Sequence, residues 1–427
     1  MGSPDAHRAV EAVWRIESAR LIAGLARTVR DVGLAEDLAQ EALVAALEQW
    51  PKDGVPDNPG AWLMATAKHG GIDRLRHQRM ARRKHEQLGR ELELDRGGAD
   101  PDLAAAADDH IGDDMLSLVF TTCHPLLPTQ ARVALTLRMM GGLTTKEIAR
   151  AFLVPEPTLA QRIVRAKKTL AEAELPFEVP PPDELDERLA SVLEVIYLVF
   201  NEGYSATAGD DLMRPGLVED ALRLGRMLAE LTPREAEVHG LVALMEIQAS
   251  RTRARVGSEG EPVLLADQDR GRWDWVLVGR GLKALDRAEA LGGEPGPYRL
   301  QAAIAACHAR ARTPEQTDWT RIAGLYDQLA FVTGSPVVEL NRAVALAQAF
   351  GPETGLALVD ELTSEPALEG YHLLPSVRGE LLARLARYDE ARAELERAAE
   401  LTNNRPEREQ LAERARSLPS EPRETAL

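Results

Sequence analysis

Apolar residues recur at helical spacing along most of the chain, and β-branched runs are few, so the pattern predicts an all-α protein. Leu34, Leu38, Ala42, Leu43, Ala46, Leu47 and Trp50 form one stripe, which the sequence predicts to end before Pro51. The opposite side of that helix shows Glu36, Asp37, Gln40, Glu41 and Glu48, which taken alone reads as a solvated face. A loop with Pro51, Gly54, Pro56, Pro59 and Gly60 follows. The next helix is predicted from near Ala61, with Trp62, Leu63, Ile72 and Leu75 beside Lys68, Arg74, Arg76, Arg79, Arg82 and Arg83. Arg76, Arg79 and Arg83 share one face, and such a row can track phosphates.

A second module begins with an amphipathic helix over Gln130–Met140, stopped by Gly141-Gly142. Thr144 or Thr145 caps a short helix, with Glu147 placed to close a capping box and Ile148, Ala149 and Phe152 inward. After a turn over 153–156, Pro157 suits the first position of another helix. There Leu159, Ile163 and Leu170 can pack inward while Thr158, Gln161, Arg162, Arg165 and Lys168 stay outside. This is a helix-turn-helix layout, whose second helix enters the major groove. Gln161 and Arg162 suit base readout, and Lys167 and Lys168 suit phosphates.

Four prolines, Pro176, Pro180, Pro181 and Pro182, mark a boundary, beyond which helices are predicted over 183–201, 211–231, 234–250 and 273–291. The polar stretch 251–272 holds Asp267, Asp269 and Arg270 next to Trp273 and Trp275. It is either a small-ligand or cation site or a salt-bridged loop packed by tryptophans. Gly379, Leu382, Ala391, Leu395 and Ala398 repeat the offsets of Ala343, Leu346, Gly355, Val359 and Leu362, 36 residues apart. That period resembles the degenerate tetratricopeptide repeat, in which helical hairpins stack and bind peptides or proteins.

Charge changes the picture. The 427-residue chain has a formal net charge of −17, but residues 1–172 hold 23 Lys+Arg against 24 Asp+Glu, so the acidity lies beyond them. Residues 65–84 and 115–172 are basic, and residues 86–114 between them carry ten carboxylates against two arginines. Two basic modules on an acidic tether can both face a polyanion. The N-terminus shows no basic-then-apolar secretory pattern and no apolar run approaches the ~18 residues of a membrane span, so a cytoplasmic protein without membrane contact is expected. Cys123 and Cys307 read as small buried thiols rather than a disulfide or metal site. No phosphate loop, nucleophile–base pair or metal-ligand spacing is present, so no catalysis, cofactor or metal is expected.

Helix, loop, basic helix, acidic linker and helix-turn-helix together resemble the sigma-70 family of transcription initiation factors, of the extracytoplasmic-function type. The chain looks like the subgroup with a long C-terminal helical extension containing tetratricopeptide-like repeats. Residues 35–42, Ala-Glu-Asp-Leu-Ala-Gln-Glu-Ala, look like the core-polymerase-binding motif of region 2, which implies contacts from Glu36, Asp37, Gln40 and Glu41. The resemblance implies a −10 surface of Asn58, Trp62, Lys68, His69, Asp73, Arg74, Arg76, Arg79 and Arg83. It also implies a −35 surface of Thr158, Gln161, Arg162, Arg165, Lys167 and Lys168. Departures are His69 where the family has Asn, the adjacent Gly70-Gly71, and Leu153 where the turn of the helix-turn-helix has Gly.

The expected organisation is region 2 over 10–84, an acidic linker over 85–112 and region 4 over 113–174. A helical domain over 183–291 and tetratricopeptide-like repeats over 297–416 follow. The expected function is promoter-specific initiation with core RNA polymerase, through its β′ and β subunits, and promoter DNA as partners. The extension regulates activity and its repeats take a protein or peptide. The alternative is a stand-alone helix-turn-helix regulator with an effector-binding repeat domain, which gives Asp37, Gln40 and Glu41 no task.

Overall fold

The computed structural model describes residues 3–69, 111–206, 212–257 and 261–419. They are helical throughout, with an isolated antiparallel bridge between Val256 and Pro262. The chain divides into two compact units, residues 1–196 and 197–427.

In the N-terminal unit, α1 (Ser3–Val29) and α2 (Val32–Asp53) pair closely, and a third helix, α3, covers the described residues 59–69. Asp31 caps α2 by accepting from the Leu34 amide at 2.9 Å. The apolar stripe is buried at Leu38, Ala42, Ala46 and Trp50, with Leu34, Leu43 and Leu47 half-buried. The helix does not stop before Pro51 but runs to Asp53. Proline in the last turn forfeits only its own N–H, and Gly54 N–H still reaches the Trp50 carbonyl at 3.0 Å. Trp50 and Trp62 meet edge to face at 5.4 Å, and Met64 lies against Gly24, which holds α3 on the pair.

Helices α4 (Ile111–Thr122), α5 (Thr129–Met139), α6 (Thr145–Ala151) and α7 (Glu156–Glu172) complete the helical part of the second module. Thr144 and Glu147 form the full capping box: the Glu147 amide donates to Thr144 Oγ1 at 3.2 Å, and the Thr144 amide to Glu147 Oε2 at 2.7 Å. Gly142, at φ +70°, makes the turn before it. Leu153 takes φ +50° in the helix-turn-helix turn, a left-handed conformation that β-carbon sterics disfavour. Helix α7 begins one residue earlier than Pro157, because Glu156 already has helical geometry and Pro157 occupies the first turn without needing its N–H.

Helix α8 (Pro182–Tyr204) starts in this unit and ends in the other. Its first half is fastened to α4 and α5. Arg132 donates to Ser191 Oγ and, at 3.1 Å, to Glu194; Ser191 donates to the Cys123 carbonyl at 2.6 Å; Arg188 donates to the Phe120 carbonyl at 3.0 Å.

In the C-terminal unit, α9 (Pro215–Leu231), α10 (Ala236–Ala249), α11 (Trp275–Leu291) and α12 (Pro297–Arg310) surround a core centred on α10. Helix α10 is buried nearly all round, from Val238 through Ala249, as expected of a helix with no polar face. Glu237 accepts from the amides of Gly296, Tyr298 and Arg299 at 3.1, 2.8 and 3.3 Å, so it caps α12 from a neighbouring helix. Burial pushes its carboxyl above the usual carboxylate range, although those three amides work the other way.

Six further helices follow, each packed on the next in chain order: α13 (Trp319–Thr333), α14 (Pro336–Phe350), α15 (Pro352–Leu362), α16 (Leu373–Arg384), α17 (Tyr388–Leu401) and α18 (Arg405–Ser417). Of the residues repeating at 36-residue spacing, Ala343, Val359, Leu382 and Ala391 share one core with Leu362, whereas Leu346 packs toward α12 and α13, and Leu395 and Ala398 join a cluster with α18. A β-carbon at Gly355 would stand 2.6 Å from the Ala343 carbonyl, and one at Gly379 3.1 Å from the Ala391 carbonyl. Small residues are needed there because the backbones approach so closely.

Candidate functional site

The site is built on α2, α3 and α7. On α2 the four acidic and amide positions do not share one environment. Asp37 and Glu41 are exposed and Gln40 is half-buried, but Glu36 is 3% exposed. Its carboxylate meets Arg138 of α5, at 3.0 Å to Nε and 2.9 Å to a terminal nitrogen, and also the Lys167 ammonium of α7. Lys167 reaches Asp37 as well, at 3.2 Å. Arg138 completes its bonds on the Leu143 carbonyl at 3.2 Å. A carboxylate this far from water is tolerated because two cations and their donors surround it.

On α7 the face with early helical positions is open. Thr158, Gln161 and Arg165 are exposed and Arg162 half-buried, and all four line a groove of about 460 Å³ with Pro128 and Gln130 at the start of α5. Lys168 is exposed and pairs with Glu172 at 3.5 Å. Lys167, assigned to phosphate contact from the sequence, lies away from this groove, on the side facing α2. The spacing accounts for it: six residues from Gln161 is roughly a third of a turn off that face.

Of the residues assigned to the −10 surface, Asn58, Trp62, Lys68 and His69 are described. Asn58 Oδ1 accepts from the Ala61 amide at 3.1 Å and so caps α3. Trp62 is half-buried against Trp50, Lys68 is half-buried, and His69 is exposed at the end of the described stretch. Asp73, Arg74, Arg76, Arg79 and Arg83 lie outside the described residues, as do the Gly70-Gly71 pair and most of the acidic linker.

The sequence did not single out Arg138. Its signal was available: on α5, Ala131, Val133, Leu135, Leu137 and Met139 are all buried, and an arginine set into such a helix needs a counter-charge.

Neither cysteine contributes chemistry here. Cys123 is buried, and burial pushes its thiol up to about 11 despite opposing hydrogen bonds to Thr136 and Thr122. Among the described residues no group of three or more His, Cys, Asp or Glu side chains could hold a metal ion. No described helix is long and apolar enough to cross a membrane.

Comparison with known proteins places these elements. Family profiles for sigma-70 region 2 match residues 16–80, and for sigma-70 region 4 residues 117–170. The extracytoplasmic-function sigma factor SigC of Mycobacterium tuberculosis is 31% identical over 158 residues, 36% of this chain and 75% of the relative. SigK of Mycobacterium ulcerans, another such factor, is 32% identical over 152 residues, 34% of this chain and 75% of the relative. The chain belongs to the sigma-70 family, extracytoplasmic-function type. Sigma factors of this family are not enzymes. Their regions 2 and 4 imply a role in transcription initiation, with binding to core RNA polymerase and promoter DNA. In this sigma factor a helical family of unknown function, DUF6596, matches residues 188–289. The likeness extends across both N-terminal and C-terminal parts in an uncharacterised protein of Rhizobium meliloti, 44% identical over 399 residues, 93% of each chain. No solved structure matches.

Proposed function

We propose that the chain is a dissociable, cytoplasmic initiation subunit of bacterial RNA polymerase whose C-terminal extension regulates its activity. Asp37, Gln40 and Glu41 present the exposed part of α2 to the polymerase, and Glu36 joins them when Arg138 and Lys167 withdraw. Thr158, Gln161, Arg162 and Arg165 read the −35 element, with Lys168 on phosphate, and Lys167 follows once Glu36 is released. Asn58, Trp62, Lys68 and His69 belong to the −10 surface, together with Asp73, Arg74, Arg76, Arg79 and Arg83. The hairpins from α14 to α17 act as tetratricopeptide-like repeats for a protein or peptide partner.

The observation that carries this reading is the open groove along α7, which gathers the side chains suited to base edges on one face of a capped helix-turn-helix. The test is binding of the full chain to core polymerase beside an Asp37→Arg/Glu41→Arg variant. Binding that falls at least tenfold in the variant, about 1.4 kcal/mol, supports the reading. A chain ending after Ile196 keeps the α8 contacts of Ser191 and Glu194 and tests the extension: transcription equal to the full chain removes the regulatory role. If neither form binds polymerase, the initiation reading fails.

A further inference from the structure

In the C-terminal unit a cavity of about 350 Å³ opens between the segment 251–268 and helices α16 and α18. Its apolar wall includes Leu212, Val263, Leu265 and Leu373. Three arginines in or just beyond this segment meet aromatic rings, but they differ in what their nitrogens do. Arg255 lies 3.7 Å over the Tyr204 ring and donates to the Tyr204 carbonyl. Arg270, 5.0 Å from the Trp273 ring, donates to the carbonyls of His308, at 2.7 Å, and Ala311. Arg251 stands between the two rings, 5.9 Å from Tyr204 and 6.0 Å from Trp273, and its Nε is shielded from solvent without a hydrogen-bond partner. Among the described residues no carboxylate is paired with it.

A second polar group in the same wall is also unanswered. Gln268 is 7% exposed; its amide nitrogen donates to the Val263 carbonyl at 3.2 Å, while its Oε1 is buried with no donor. The one carboxylate lining the cavity, Glu407, is already held by Thr402 at 3.0 Å and His372 at 3.3 Å. Behind Arg251 lies a further cavity of about 200 Å³, walled by Leu244, Ile304 and Leu329 with Gln248 and Asn341. Buried polar atoms in native proteins are nearly always satisfied, and small-molecule sites combine apolar walls with a few convergent polar groups. An unpaired guanidinium asks for an anion, and an unpaired amide oxygen asks for an N–H or O–H.

We infer that this cavity binds a small organic acid with an apolar body and a hydroxyl donor, its carboxylate on Arg251 and its hydroxyl on Gln268. The carboxylates singled out in the sequence, Asp267 and Asp269, do not line this cavity, and Asp269 caps a short turn by accepting from Gly271 N–H at 2.8 Å. Apolar walls favour an organic acid over inorganic phosphate, which would leave them empty.

The test uses the purified full chain without polymerase, so its outcome is independent of the role in transcription. Titration calorimetry and thermal shift are run with 2-hydroxyisocaproate and 4-hydroxybenzoate up to about 10 mM, enough to fill a site with a Kd of about 1 mM. The matching primary amides, isocaproate and inorganic phosphate serve as controls. The expected result is binding by at least one hydroxy acid, weaker by tenfold or more for its amide, and lost in Arg251→Met. Gln268→Met is expected to erase the preference for 2-hydroxyisocaproate over isocaproate. Arg251→Met is also expected to keep or raise the melting temperature of the unliganded chain, which a structural role for Arg251 would not allow. Binding by neither acid, equal binding by acid and amide, binding unchanged in Arg251→Met, or Arg251-dependent binding of phosphate alone overturns the proposal.

Discussion

Glu36 in the N-terminal unit and Arg251 in the C-terminal unit are both charged groups taken largely out of water, and they are handled in opposite ways. Glu36 is enclosed by Arg138 and Lys167, so every part of its carboxylate has a cationic donor. Arg251 has two aromatic faces and no anion among the described residues. A buried charge with its partners in place is a fastening between elements of the fold. One without them is a vacancy for a partner that the fold does not supply. The first kind stabilises only while both sides are present, because removing one partner strands the other.

That contrast gives the largest expected effect. Glu36→Ala should destabilise the N-terminal unit by about 3–5 kcal/mol, since two mostly buried cations lose their counter-charge. Urea unfolding of the full chain should show it in one of two transitions. An equal loss in Arg251→Met would erase the distinction.

Next comes acid sensitivity of the C-terminal unit. Burial pushes His308 down to about 4, and the nearby Arg251 and Arg270 push in the same direction. Its folded value lies below the unfolded value near 6.5, so neutral His308 contributes stability above that pH, and the contribution drains away as pH falls toward 4. The loss should reach about 3 kcal/mol. Melting curves across this range check it, and Arg251→Met should lessen the loss by removing one of the repelling charges.

Smaller again, Arg162→Ala should weaken promoter DNA binding by about 1–3 kcal/mol in a mobility-shift titration. Lys167→Ala should act first on stability of the N-terminal unit, because its ammonium is engaged by Glu36 and Asp37. The smallest effect is expected at Leu153→Gly. It relieves a left-handed leucine that is 55% exposed and buries little, so thermal unfolding should show a gain of about 1 kcal/mol at most.

The helices of both units were legible because their signals are local. The Thr144–Glu147 box, the Gly141-Gly142 stop and the Leu159/Ile163/Leu170 stripe all act within a few residues, and each is found where its spacing put it. The proline signal misplaces one boundary, because Pro51 sits in a last turn that tolerates it. The prolines near 176–182 separate α7 from α8, yet the compact units divide later, between Ile196 and Tyr197. Residues 182–196 join the first unit because Arg132 and the Cys123 carbonyl hold Ser191 and Glu194 there, contacts some sixty residues apart in sequence.

The sequence by itself determined the all-helical fold, the helix-turn-helix and the resemblance to sigma-70 factors, since periodicity, caps and motif order are written in neighbouring residues. Tertiary structure decided which charges are spent. Glu36 and Lys167 lie 131 positions apart; helical spacing turns Lys167 away from the face that carries Lys168, but nothing local says what it meets there. Only packing of α2 against α7 brings the two together. The same holds for Arg251, an ordinary turn arginine until two rings and two cavities close around it. Burial and pairing are properties of three-dimensional neighbours, and they give partners that composition and spacing do not name.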